Sequence, residues 1–179
     1  MVDSEGKVPE GVVPAEKRIP DKTFNEIKES VPLYSVDLVV VKDLETDPQV
    51  LLIKRKIPPG VGKWALVGGR VLKGERLKEA IDRQAKIELG VSVEVIPPFN
   101  ANQSVATFDN PDVVSGMHPI IGVYPVEIVG GQIKKSGPES EEIRWFPLDQ
   151  IPDDMGFDHR EEVFIALYSL YKNGRLRLP

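Results

Sequence analysis

The chain has 179 residues, 41% of them hydrophobic, and a formal net charge of -5 at pH 7, so it fits one domain with one core and not two independent catalytic domains. The acidic balance excludes the general positive surface that a nucleic-acid backbone requires, and the lack of cysteine excludes disulfides, thiolate metal sites and cysteine nucleophiles. No apolar run approaches the roughly 18 residues that span a bilayer and no signal peptide is visible, so we expect a cytoplasmic protein without a nucleic-acid or membrane partner.

Proline, glycine and apolar residues predict the elements in chain order. Residues 1–22 combine prolines with charges and predict an extended N-terminal arm, which leaves residues 23–179 as the domain. The predicted strands lie at residues 33–42, 49–55, 64–67, 70–71, 91–96, 104–108, 119–128 and 143–146. Helices are predicted at residues 23–30, capped by Thr23, at residues 77–88, ended by Gly90, and at about residues 160–171, capped by Asp158. This order predicts an α/β sandwich.

The last predicted helix is amphipathic. Its apolar residues recur at helical spacing, and we expect its buried face to consist of Val163, Phe164, Leu167, Leu170 and Tyr171.

The most informative stretch is residues 63–91, KWALVGGRVLKGERLKEAIDRQAKIELGV. Gly69 is followed after five residues by Glu75, and Glu75 after seven residues by Arg83; Glu88 and Gly90 complete the pattern. This spacing resembles the Nudix box. The resemblance implies a Nudix fold, with a mixed β-sheet sandwiched between α-helices, and hydrolase activity. It gives Gly69, Glu75, Arg83 and Gly90 structural roles.

Elementary chemistry supports a phosphate and metal site in this stretch. Gly68 and Gly69 lack a Cβ, so the backbone can pass close to a ligand. Glu75 and Arg83 are about two helical turns apart and are predicted to pair on one face. Glu88 is then the carboxylate left for a metal, and Mg²⁺ commonly takes one or two carboxylates together with waters and substrate phosphates. We predict Mg²⁺, with Mn²⁺ as a possible substitute.

The box departs from the usual pattern at two positions. Gln84 and Ile87 stand where the family has glutamates, and neither side chain can help to hold several cations. This reduction, together with the flanking segments at residues 23–41 and 50–64, resembles the GDP-mannose mannosyl hydrolases, a branch of the family that cleaves the anomeric bond of a nucleotide sugar.

That branch implies roles for further positions. Phe24 would stack on the base, Asp37 would contact the nucleotide or the sugar, and Arg55 and Arg70 would contact the phosphates and the leaving group. Mg²⁺ would be held by Glu88, by the main-chain carbonyl of Gly68, and by Glu139 in place of a family glutamine. A homodimer is also implied.

The catalytic base is left open by the sequence. Ser140 stands where the family has a histidine, and its hydroxyl does not accept a proton near neutral pH. The candidates are Glu141, His118 and His159, with Arg70 assisting the departure of the nucleoside diphosphate.

Three functions therefore stay open. The first is hydrolysis of a nucleotide sugar such as GDP-mannose at the glycosidic bond, to nucleoside diphosphate and sugar. The second is cleavage of the pyrophosphate in ADP-ribose or another nucleoside diphosphate derivative. The third is a Nudix module that binds nucleotides without catalysis, which Gln84, Ile87 and Ser140 favour.

Overall fold

The structure, a computed structural model, describes residues 19–109, 111 and 116–177. Its helices are α1 (Asp21–Ser30), α2 (Leu77–Gln84), which continues as a π-helical turn (Ala85–Leu89), and α3 (His159–Lys172), with a short 3₁₀ turn at Leu148–Gln150. Its strands are β1 (Leu33–Lys42), β2 (Gln49–Arg55), β3 (Trp64–Ala65), β4 (Val67–Arg70), β5 (Val91–Val95), β6 (Ala106–Asp109), β7 (Pro119–Gly131) and β8 (Ser140–Pro147). Most of the arm predicted for residues 1–22 lies outside the described residues.

A mixed sheet organises the domain. Its central path runs β3-β2-β1-β7-β5, while β4 pairs with β1, β6 with β7 and β8 with β2. The pair β1 and β7 is parallel and the other pairs are antiparallel. The predicted hairpin is confirmed, since β1 and β2 begin and end where the Val, Ile and Leu runs do.

The core has two layers because side chains alternate across β1. Val36, Leu38 and Val40 point to one face and pack with the apolar side of α2. Val39 and Val41 point to the other face and pack with α3. The sheet is therefore covered by helices on both faces, as predicted. No helix in the described ranges is long and apolar enough to cross a membrane.

Several predicted details were wrong. Helix α1 begins at Asp21 after Pro20, so Thr23 is not its cap; an acidic side chain in the first turn suits the helix dipole. In α3, Phe164 and Tyr171 are 42% and 49% exposed instead of buried. The buried face consists instead of the polar residues His159 and Glu162 together with small and aliphatic residues.

Candidate active site

The two glycines lie inside a strand and do not form the linker that the sequence predicted. Gly68 and Gly69 belong to β4, where Gly68 pairs with Asp37 and Gly69 with Val36 of β1. A side chain at Gly68 would overlap a carboxylate oxygen of Asp37 and lie 2.7 Å from the Val36 carbonyl oxygen. Glycine is therefore required here for the close approach of Asp37, a reason that only the folded chain supplies.

An ion pair fixes the loop that leads from β4 into α2. Arg83 Nε donates to Glu75 Oε1 at 2.7 Å and Arg83 Nη2 donates to Glu75 Oε2 at 2.9 Å. The same Nη2 donates to the Arg70 carbonyl at 2.8 Å, and Glu75 also accepts from the Leu72 N–H at 2.9 Å. This bidentate, largely buried pair ties the loop to the helix. Both side chains of this ion pair therefore have a structural role.

Glu88 lies in the π-helical turn that ends α2. The N–H of Gly90 donates to the Ala85 carbonyl at 3.1 Å, and Gly90 has φ 82°, so glycine ends the helix in the left-handed region. The sequence predicted an uninterrupted α-helix here. A π turn inserts an extra residue and changes which side chains face inward, which is why such turns are frequent at functional sites. Here Glu88 is only 2% exposed.

Glu139 approaches Glu88 from the segment that precedes β8. Its N–H donates to Glu88 Oε2 at 3.4 Å, and its own Oε2 accepts from Arg55 Nη1 at 3.2 Å. Arg55 Nε also donates to the Pro59 carbonyl at 2.8 Å. Arg55, Glu88 and Glu139 are all buried. The structure thus brings together two predicted metal ligands and one predicted phosphate contact.

Within the described part of the chain, neither of the two glutamates has a hydrogen-bond partner for both of its carboxyl oxygens. Each keeps one buried oxygen, Oε1, that has no hydrogen-bond partner among the described residues. Burial first, and the nearby Glu139 second, raise the pKa of Glu88 to about 7. Burial also raises the pKa of Glu139, although Arg55 acts in the opposite direction. Two such carboxyl groups hold either a proton or a cation between them.

The surroundings of this pair are shaped to admit an ion. A side chain at Gly137 would overlap Glu88 Oε2 and come within 3.0 Å of Ser140 Oγ. Ser140 is buried and its hydroxyl oxygen accepts from the Gly137 N–H at 2.7 Å. Hard divalent cations prefer carboxylate and carbonyl oxygens, and the unpartnered oxygens of Glu88 and Glu139 are carboxylate oxygens. The residues therefore fit a divalent cation, and sequence reasoning had not singled out Gly137.

Phe24 and Arg70 contact each other. The guanidinium of Arg70 lies 4.3 Å from the centre of the Phe24 ring, and Phe24 is 5% exposed. Burial lowers the pKa of Arg70, and the nearby Arg83 lowers it further. A base that stacks on Phe24, as predicted, would have to take the place that Arg70 occupies.

The three candidate bases lie in different settings. Glu141 is half exposed and pairs with Lys54 at 3.2 Å, next to the buried Glu139. His118, which directly precedes β7, contacts Asp109 at the end of β6. Both ring nitrogens of the buried His159 are engaged in hydrogen bonds, so in this arrangement neither can take a proton from water.

Asp37, His159 and Glu162 form a second buried cluster on the α3 side of the sheet. Their candidate ligand atoms lie within 4.8 Å of one another. His159 Nε2 lies 3.0 Å from Asp37 Oδ2, and His159 Nδ1 accepts the Leu66 N–H at 3.0 Å. Sequence reasoning missed Glu162. The signal was available, since Glu162 recurs at helical spacing with Val163 and other buried residues of α3.

The fold and the motif together define the class of protein. The chain matches the model of the NUDIX domain over residues 33–167 and belongs to that family. The architecture is therefore the Nudix fold, as the sequence predicted, and the chain is a Nudix hydrolase.

Individual members of the family are similar to this chain to different extents. The chain is 34% identical over 143 residues to an ADP-ribose pyrophosphatase of Methanocaldococcus jannaschii, a match that covers 80% of this chain and 76% of the relative. It is 44% identical over 78 residues to the low-salt glycan biosynthesis protein Agl8 of Haloferax volcanii, which covers 44% of this chain and 47% of the relative. Among solved structures, a MutT Nudix hydrolase of Burkholderia pseudomallei superposes with a TM-score of 0.61 at 26% identity, covering 75% of this chain and 98% of the other.

Proposed function

We propose that this protein is a divalent-cation-dependent hydrolase of a nucleoside diphosphate joined to a sugar, with ADP-ribose as the first substrate to test. The observation that carries the proposal is the buried pair Glu88 and Glu139, which lie beside Arg55 and each have one oxygen without a hydrogen-bond partner among the described residues. Its support from relatives is the similarity to an ADP-ribose pyrophosphatase over most of both chains.

The cation would be held by Glu88, Glu139 and the Gly68 carbonyl. When bound, Mg²⁺ or Mn²⁺ would neutralise the charge of the diphosphate and supply Lewis-acid polarisation. Arg55 orients Glu139 and opposes the effect of burial on its pKa, because its guanidinium is held by both that carboxylate and the Pro59 carbonyl. The protein thus contributes a fixed, dry set of charges rather than a flexible one.

Glu141 is the base that the geometry favours. It is the neighbour of buried Glu139 and Ser140 but is itself half exposed, so water and substrate can reach its carboxylate. Lys54 pairs with it at 3.2 Å and orients its carboxylate. In our proposal Glu141 accepts a proton from the attacking water, while Arg70 contacts the departing phosphate.

One observation favours a second candidate reaction, in which the glycosidic bond of a nucleotide sugar is cleaved. Gln84 and Ile87 leave few carboxylates for a metal cluster, and cleavage at the anomeric carbon needs only a stabilised nucleoside diphosphate leaving group. A GDP-mannose-type sugar nucleotide hydrolysed to nucleoside diphosphate and sugar is therefore the alternative to pyrophosphate cleavage.

One experiment tests both. The purified protein is incubated with ADP-ribose, GDP-mannose and related nucleotide sugars, with Mg²⁺ or Mn²⁺, in oxygen-18 water, and the products are analysed by mass spectrometry. Label in a phosphate product supports pyrophosphate cleavage, and label in the sugar supports the alternative. Binding without turnover on every substrate would instead establish the non-catalytic module and contradict the proposal.

The predicted homodimer belongs to the same proposal. A dimer would suit a substrate whose base extends beyond one chain, and it is checked by sedimentation at micromolar concentration. A monomeric mass under conditions of full activity would contradict it.

A further inference from the structure

Helix α3 presents large apolar side chains to solvent on the side that faces away from the sheet. Phe164, Tyr168 and Tyr171 are 42%, 62% and 49% exposed. Their spacing of four and then three residues places them in one stripe along the helix, because residues at these spacings are neighbours on a helix surface. The residues of α3 that pack on the sheet lie on the opposite side and include Val163, Ala166, Leu167 and Leu170. Helix α3 therefore has an apolar outer face in addition to its buried one.

The size of this face distinguishes it from single exposed apolar residues. An aromatic side chain has roughly 200 Å² of surface that packing can bury, so the three exposed fractions correspond to about 300 Å² of aromatic surface per chain. A contiguous apolar patch of this size on a protein surface is often functional. We define the α3 outer face as Glu161, Phe164, Ile165, Tyr168, Tyr171 and Lys172, the first four of which line a shallow groove.

Two opposite charges lie at the two ends of the α3 outer face. Glu161 is in the first turn of the helix and Lys172 in the last, and both side chains are exposed. Neither forms an ion pair with any residue in the described ranges. Lys172 follows Glu161 by about three full helical turns, so the two charges lie on the same flank of the aromatic stripe.

A second copy of the helix matches these charges in the antiparallel orientation. A two-fold axis at the level of Ala166 reverses the direction of the second helix and keeps each flank on its own side. Glu161 lies five residues before Ala166 and Lys172 six residues after it. At about 1.5 Å of rise per residue, Glu161 of one copy is then ~1.5 Å from the level of Lys172 of the second copy. The pair is formed twice, whereas a parallel arrangement would put like charges at the same level.

The same axis pairs the aromatic residues at the centre of the face. Phe164 lies two residues before Ala166 and Tyr168 two residues after it, so Phe164 of one copy is level with Tyr168 of the second copy. Aromatic pairs contribute more than the area that they bury, and antiparallel helix dipoles attract each other. The aromatic surface of two copies is about 600 Å², below the area of stable complexes, which predicts a weak dimer that depends on concentration.

We propose that two copies of this chain associate through the α3 outer face, with the helices antiparallel, Phe164 against Tyr168 at the centre and a Glu161–Lys172 ion pair at each end. The proposal rests on the homodimer that we proposed with the function, and it names the surface of that dimer. It does not depend on which bond of a nucleotide substrate is hydrolysed.

Charge reversal tests the two ion pairs. Sedimentation equilibrium of the full chain, at roughly 1 to 200 μM, should show a reversible dimer, since weak complexes dissociate in this range. Glu161→Lys and Lys172→Glu each place like charges at both ends of the interface, so each should raise the dimer dissociation constant by about tenfold or more. Glu26→Lys, the same change of charge at an exposed position of α1, is the matched control and should leave the dissociation constant unchanged.

A mixture of the two charge variants tests the antiparallel pairing itself. The Glu161→Lys chain has two lysines at these positions and the Lys172→Glu chain has two glutamates, so each repels its own copy. An equimolar mixture restores opposite charges at both ends, and we expect heterodimers about as stable as the unmodified dimer. The double variant Glu161→Lys/Lys172→Glu should dimerise like the unmodified chain for the same reason.

Tyr168→Lys tests the apolar centre, because it puts two lysines into the middle of the interface and should abolish the dimer. A dimer that persists in Tyr168→Lys, or a mixture of the charge variants that stays monomeric, would overturn this surface and leave a homodimer at another one. A chain that is monomeric throughout the concentration range would overturn both. A protein that hydrolyses no nucleotide sugar but shows the expected pattern of dimerisation would refute the proposed function and leave this inference standing.

Discussion

Among the described residues, two pairs of buried carboxyl groups lie on opposite faces of one sheet, and the groups that contact the two pairs differ. Glu88 and Glu139 lie on the α2 side with the cation of Arg55 beside them, and each keeps an unpartnered oxygen. Asp37 and Glu162 lie on the α3 side, with His159 beside them. The comparison teaches that acidic spacing alone does not make a metal site. The groups that contact the carboxylates decide whether a cation or a proton balances the charge.

The largest expected effect is the loss of catalytic activity that the substitution Glu88→Gln causes. Removing this carboxylate removes a cation ligand, so we expect kcat/KM to fall by about a thousandfold, in line with the several kcal/mol that a bound metal contributes. Steady-state kinetics with saturating Mg²⁺ measure it, and Glu79→Gln, an exposed position on the same helix, is the control. Full activity of Glu88→Gln would remove the cation from this pair.

The next effect is on stability, through Glu139→Gln. This substitution leaves Arg55, which is 4% exposed, without the carboxylate that pairs with it, and breaking one side of a buried ion pair costs about 3 kcal/mol of unfolding free energy. Urea denaturation of the metal-free protein measures the loss. Glu142→Gln on β8, whose partner Arg144 is exposed, should change stability by less than about 0.5 kcal/mol.

The pH dependence of stability separates the two pairs. The pKa of Glu88, raised from 4.5 to about 7, lies above its value in the unfolded chain, so between these pH values the folded state binds more protons. The stability of the metal-free protein is then lost as pH rises towards 7. We expect Glu88→Gln to remove about 2 kcal/mol of this dependence between pH 5 and 8.

The contribution of Glu162 to stability should also be lost as pH rises, but over a wider pH range, because its pKa is raised to about 10. Saturating Mg²⁺ should abolish the part that belongs to Glu88 and leave the part that belongs to Glu162. Thermal denaturation across pH, with and without Mg²⁺, measures both. If Mg²⁺ abolished both parts, the distinction between the two pairs would be lost.

The smallest expected effect concerns the contact between Phe24 and Arg70, which lies at the end of β4. Phe24→Leu keeps an apolar side chain but loses the contact with the Arg70 guanidinium, and we expect about 1 kcal/mol less stability with little change in KM. Phe164→Leu, which loses a similar contact with Arg160 at a more exposed position, should cost less. A large rise in KM for Phe24→Leu would instead support its predicted contact with the base.

The local parts of the fold could be predicted from the sequence. The strands β1 and β2 follow from runs of Val, Ile and Leu, and the end of α2 follows from Gly90, because these features depend on neighbours in the chain. The pairing of Glu75 with Arg83 was predicted, but Glu75 lies in the loop before α2, so the path of that loop and not helical spacing brings the two side chains together. The π turn at Glu88 does not follow from local spacing, and it places Ala85 and Leu89 in a core built from strands that are distant in the chain.

The sequence by itself determined the family and the box and identified Glu88 as the main candidate for an acidic ligand, since these are recorded as residue types at fixed spacing. Only the tertiary structure decided that β4 lies against Asp37, that Arg55 holds Glu139, and that Glu162 joins Asp37 and His159. The physical reason is that protonation and pairing depend on burial and on charges within a few ångströms. Those neighbours come from strands and helices that are distant in the chain.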